Sequence, residues 1–126
     1  MADYIELDIY KVELDTTNPR IANYLEYYTA ESLDSDTMAL LLGTSSESCA
    51  SLRESIKENG GIVHPIIVNH YPDDRYVVIE GNTRLQIYRD FLKKGVPGNW
   101  KTIKSIVHED LDENTMHSIR LQAHLV

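Results

Sequence analysis

The stretch YVVIEGNTRLQIYRDFLKKG, residues 76–95, constrains this chain more than any other. A short apolar run stops at Glu80. After Gly81 the apolar residues recur at helical spacing, with Leu85, Tyr88 and Leu92 on one stripe and Ile87 and Phe91 beside it. The pattern predicts a strand that feeds a helix through a glycine. Lys93, Lys94 and Gly95 supply the expected stop: cations near a helix C-terminus, then a residue that adopts a left-handed backbone without penalty. Such a junction leaves the first-turn N–H groups without intrahelical partners and points the positive end of the helix dipole at whatever lies in front. It is a ready anion site.

The remaining segments predict what surrounds this unit. YIELDIYKVEL places Ile5, Leu7, Ile9, Val12 and Leu14 in the alternation of a half-buried strand or strand pair. Asn18 and Pro19 are turn chemistry, and Pro19 suits the first position of a helix through RIANYLEYY, where Ile21, Tyr24, Leu25 and Tyr28 share a face. A second helix is expected from Ser35 or Asp36 to Gly43. A third follows the serine-rich joint GTSSESCAS, opening on the capping-box spacing of Ser51 and Glu54 and closing at Asn59, Gly60 and Gly61. Ile66, Ile67 and Val68 read as a strand, and YPDDR turns it into YVVIE as a hairpin. TIKSIV is a further strand, and DLDENTMHSIRLQAHLV a closing helix capped by Asp112.

The fold class expected is α/β (α+β), a small mixed β-sheet with strands near 66–69, 76–80 and 103–107 and helices around it. Residues 1–126 are expected to form one domain. The apolar pattern is still running at Leu125 and Val126, so the chain is expected to be a fragment of a longer protein.

A chain of 126 residues buries roughly two-thirds of its unfolded surface, enough for a core without disulfides. The single cysteine, Cys49, excludes an intramolecular disulfide and a multi-cysteine zinc site, which suits a reducing cytoplasm. No apolar run approaches the roughly 18 residues of a membrane span. Twenty acids against twelve Lys and Arg leave a formal charge of −8, unfavourable for a phosphate backbone that is bound largely by cations releasing counterions. DNA contact is therefore expected only through regions outside this chain.

The residues 80–84 carry two readings. In one, Gly81 supplies a backbone angle, Asn82 caps the helix and Arg84 is solvated. In the other, the turn binds phosphate. A cation in the first turn opposes the helix dipole unless an anion offsets it, which favours the second.

The order NPR, SIKENGGIVHPIIV, YVVIEGNTR and EDLDENT along residues 12–112 resembles the N-terminal domain of the ParB partition proteins, a fold shared with sulfiredoxins. The resemblance implies that residues 61–68 line the base and sugar of a nucleotide, with Gly61, His64 and Pro65 among them. It also implies that Gly81, Asn82, Thr83 and Arg84 grip its phosphates and that Arg20 stands near. It implies CTP or ATP/ADP as the ligand, with or without Mg²⁺, and allows a homodimer. This chain departs from the pattern in three places. It has one arginine in the turn where ParB proteins carry two. Asn82 stands where sulfiredoxins place their reactive cysteine, which excludes that chemistry. Ile119 to His124, IRLQAH, keeps only Leu121 and Gln122 of the third ParB motif.

Glu80 at the strand end has the placement of a general base or Mg²⁺ ligand, or of a solvated acid. His117 and His124 are not at metal-pair spacing, and no dedicated metal site is expected. The expected function is a nucleotide-binding regulatory module coupled to a DNA-binding or DNA-processing region. The alternatives are an enzyme on the same fold, whether phosphotransferase, NTPase or nuclease, and a degenerate protein-binding scaffold.

Overall fold

The computed structural model describes residues 3–44 and 46–124. Five strands, β1 (Asp3–Asp8), β2 (Val12–Glu13), β3 (Ile66–His70), β4 (Tyr76–Glu80) and β5 (Thr102–Glu109), form one mixed sheet in the order β1-β5-β3-β4-β2. β1 runs antiparallel to β5, with Asp3 opposite Val107, and β5 runs parallel to β3, with Ile66 opposite Ser105. The expected hairpin is β3 and β4, antiparallel, its register shifting between Ile67 and Val68. β2 closes the far edge parallel to β4.

Five α-helices are described: α1 (Pro19–Leu25), α2 (Ser35–Leu42), α3 (Ala50–Asn59), α4 (Asn82–Lys94) and α5 (Glu113–His124). Their ends follow local chemistry. Asn18 caps α1 by accepting from the Arg20 amide, Asp34 caps α2 through the Thr37 amide, and the Asp112 carboxylate accepts from the Thr115 amide at the start of α5. Gly43, Gly60 and Gly95 end α2, α3 and α4 in the left-handed conformation.

The capping box expected at Ser51 and Glu54 does not form. A 3-10 turn, Glu47–Cys49, runs straight into α3, which starts at Ala50, so Ser51 already lies inside the helix. The Ala50 amide donates to the Glu47 carbonyl, and the Arg53 guanidinium gathers the carbonyls of Thr44 and Ser46, so the entry is held without a side-chain cap. Tyr28 also departs from expectation. α1 stops at Leu25 with only Ile21 buried, and Tyr28 stacks outside the helix on Tyr24 at 4.7 Å between ring centroids. The apolar continuation at Leu125 and Val126, and the side chain of His124, lie outside the described residues.

The core joins sheet to α4. Val12, Ile66, Val68, Val78 and Ile103 meet Leu85, Ile87, Tyr88 and Phe91, and Trp100 packs edge-on against Tyr88 and Phe91. This burial fixes the direction of α4, and with it the position of the 81–84 turn.

Candidate functional site: the strand-to-helix turn

Gly81 leaves β4 with φ 123° and ψ 19°, a backbone that side chains rarely adopt, and no side chain caps the helix it opens. A Cβ there would lie 2.4 Å from Ile66 Cγ2 and 2.8 Å from Ile66 Cβ, so the turn is pressed against the start of β3 and admits only glycine. The Leu85 amide donates to the Gly81 carbonyl at 3.0 Å, opening the helical ladder. The amides of residues 82, 83 and 84 precede that ladder, and α4 has no acid in its first turn to complement the dipole.

Arg84 does not extend into solvent. Its Nη1 donates to the carbonyls of His64 at 2.6 Å and Pro65 at 3.3 Å, tying the loop before β3 to the first turn of α4. Its Nη2 stands over Gly81, 3.2 Å from where a Cβ would be. Burial pulls the Arg84 pKa below its ordinary value, and the charge of nearby Glu80 pulls in the opposite direction. Gly61 lies a few residues upstream on the same loop. A Cβ there would sit 2.9 Å from the Tyr88 hydroxyl, which accepts the Ile62 amide at 2.9 Å.

The structure thus brings His64, Pro65, Glu80, Gly81 and Arg84 together, with Gly61 beside them on Tyr88. Two other residues assigned to the site have different engagements. The Asn82 side chain is buried. Its Oδ1 accepts the Asp15 amide at 2.8 Å and its Nδ2 donates to the Asp15 carbonyl at 3.1 Å, so it neither caps α4 nor faces outward. Only its backbone amide remains at the turn. The Arg20 guanidinium donates to the Leu42 carbonyl at 3.0 Å, at the negative end of α2. Thr83 is half-buried at the turn.

Sequence reasoning missed Asp15, Tyr88 and Arg120. Asp15 receives Asn82 on its backbone, while its carboxylate accepts from Thr17 and pairs with Arg120 of α5 at 3.2 Å. That chain of contacts links the 81–84 turn to the last described helix. No local pattern announces it, because each partner is remote in sequence.

These features define a class: a mixed-sheet α/β fold in which an uncapped helix N-terminus, opened by an obligatory glycine, is bridged by an arginine to the loop of a neighbouring strand. The sequence model of the ParB N-terminal domain matches residues 15–125, and the chain belongs to that family. Among solved structures it is similar to the C-terminally truncated chromosome-partitioning protein ParB from Caulobacter crescentus complexed with CTP-gamma-S. The TM-score is 0.57 at 22% identity, over 98% of this chain and 53% of that one. This chain spans about half the length of that structure, and the likeness is one of fold. No curated protein matches the sequence.

Proposed function

We propose that this chain is a nucleotide-binding regulatory module. It binds CTP between the 61–65 loop and the 81–84 turn and relays its occupancy to a DNA-binding region outside these residues. The observation that carries the reading is Arg84. A half-buried cation in the first turn of α4 works against the helix dipole, yet it is held there by two backbone carbonyls and stands over a glycine that no other residue can replace. A phosphate in front of the turn resolves the conflict, with the free amides and the remaining guanidinium N–H groups as donors. The solved ParB relative, complexed with CTP-gamma-S, supports cytosine over other bases.

The donor set suits an anion. Among the described residues no three His, Cys, Asp or Glu side chains gather to hold a metal, so on this reading a magnesium ion is held chiefly by the ligand's own phosphates. The loop approaching the turn through His64 and Pro65 forms the base side. With twenty acids and twelve Lys and Arg, the chain itself does not hold duplex DNA. Among the described residues no helix is long and apolar enough to cross a membrane, and the reading places the protein in the cytoplasm.

Calorimetric titration with CTP, ATP, ADP and GTP, with and without Mg²⁺, tests the proposal. CTP is expected to bind, Arg84→Ala to weaken it about 10- to 100-fold, roughly the worth of a hydrogen bond to a charge, and Arg84→Lys to recover part. Because Arg84 also holds the His64 and Pro65 carbonyls, a urea melt of each variant separates lost affinity from lost fold. Absence of binding by any of the four nucleotides to the folded wild-type chain overturns the reading.

A further inference from the structure

Helical geometry turns Gln86, Arg89 and Lys93 of α4 away from the face that carries Arg84 and Tyr88. With the start of α2 and the β1–β2 connection, this second face borders an open cavity of about 430 Å³, within the range of small-molecule sites. The apolar part of its lining is Leu14, Leu33, Met38 and Leu92.

Three buried side-chain atoms among the described residues lack a hydrogen-bond partner, and the residues that own two of them, Gln86 Oε1 and Arg89 Nε, line this cavity. Gln86 is 0% exposed. Its Nε2 donates to the Asp90 carboxylate at 2.9 Å and to Ser35 Oγ and O at 3.3 and 3.4 Å, which fixes the amide orientation and leaves Oε1 as the unanswered acceptor. Arg89 donates through Nη2 to the carbonyls of Ile9 and Val12 and lies over the Tyr10 ring at 5.7 Å. No carboxylate among the described residues pairs with it. Two other charged residues line the cavity: Lys93, which pairs with Asp36 at 3.0 Å, and Asp34, whose carboxylate accepts from the Thr37 amide at 2.8 Å at the start of α2. Burial lowers the Arg89 pKa, with only Tyr10 opposing. A half-buried cation without a counterion is stabilised when an anion is brought against it.

We propose that this cavity binds a small organic carboxylate, its anionic head on Arg89 and its apolar body against Leu14, Leu33, Met38 and Leu92. The site is separate from the 81–84 turn and gives α4 a second small-molecule input on its opposite face.

The probe is phenylacetate, with phenylacetamide as its uncharged isostere, titrated into the ¹⁵N-labelled chain without nucleotide and followed by amide chemical shifts. Phenylacetate is expected to shift signals from residues 33–38 and 86–93 saturably, with a dissociation constant of about 1 mM or below, and phenylacetamide to bind at least about tenfold more weakly. Arg89→Gln abolishes this binding. Because that change also frees two backbone carbonyls, Leu33→Trp, which fills the cavity and keeps Arg89, serves as the second variant and also abolishes it. No saturable shift in the wild-type chain, equal binding of acid and amide, or binding that survives Leu33→Trp each overturns the proposal. None of these outcomes depends on whether CTP binds.

Discussion

Replacing Asn82 by alanine separates a structural from a ligand-binding role at the start of α4. In the structure its amide answers both backbone groups of Asp15, N–H to Oδ1 at 2.8 Å and Nδ2 to carbonyl at 3.1 Å, in a site where both residues are buried. Alanine removes both bonds and strands a buried donor and a buried acceptor. Each stranded group costs about 1–3 kcal/mol, so the variant should lose roughly 2–6 kcal/mol, the lower end applying if water enters the gap. Asn82→Asp should do no better. Its second oxygen would face the Asp15 carbonyl with no proton to give, and it would bury a charge beside the Asp15 carboxylate. Urea unfolding read by Trp100 fluorescence measures the loss as a shift in midpoint at unchanged slope. If Asn82→Ala instead costs less than about 0.5 kcal/mol and chiefly weakens CTP, the side chain faces the ligand and the argument from its buried pairing is wrong.

Gly81→Ala should destabilise by about 2 kcal/mol or more, because strain at a positive φ adds to the collision with Ile66. Gly95→Ala, with nothing within 4 Å of its Cβ, should cost only about 1 kcal/mol of strain in the same melt. If the two cost the same, Gly81 is not pressed on β3. His70, whose ring contacts Asp74 at 2.8 Å and Glu109 at 2.7 Å, has its pKa raised above 6.5, first by the Asp74 hydrogen bond and then by that of Glu109. A raised folded value means stability that is full below the unfolded pKa and lost as pH climbs through the folded one. Denaturation across that window should therefore show a decline that His70→Gln flattens, and a variant with an unchanged slope refutes the pairing.

Much of the architecture was legible because it is written in local pattern. Gly43, Gly60 and Gly95 ended their helices where apolar periodicity stopped, and Pro19 opened α1. The β3–β4 hairpin followed from YPDDR between two β-branched runs, and Gly81 marked the turn. The capping-box reading failed because the spacing of Ser51 and Glu54 says nothing about the 3-10 turn in front of it, which supplies the carbonyls instead. The site was half legible. The glycine, the arginine and the approaching loop could be placed in sequence, since strand, turn and helix are contiguous there. Where each polar side chain points could not. Asn82 is held by Asp15, 67 positions away, and Arg20 by Leu42 in another helix. The unanswered atoms of Gln86 and Arg89 follow from packing that no single segment encodes.

The strand order has a kinetic consequence. β1 lies at one edge of the sheet, and its hydrogen-bonded neighbour is β5, so Asp3 meets Val107 and Asp8 meets Thr102 only after the chain has been made through β5. Contacts this distant in sequence slow folding, because the loop entropy must be overcome before they reward it. During synthesis from the N-terminus, β1 stays unpaired until β5 has left the ribosome, exposing Ile5 and Leu7 in an extended segment. Its acids, Asp3, Glu6 and Asp8, fall between those apolar residues and at the strand ends. They act as gatekeepers that keep the waiting strand from pairing with another copy of itself.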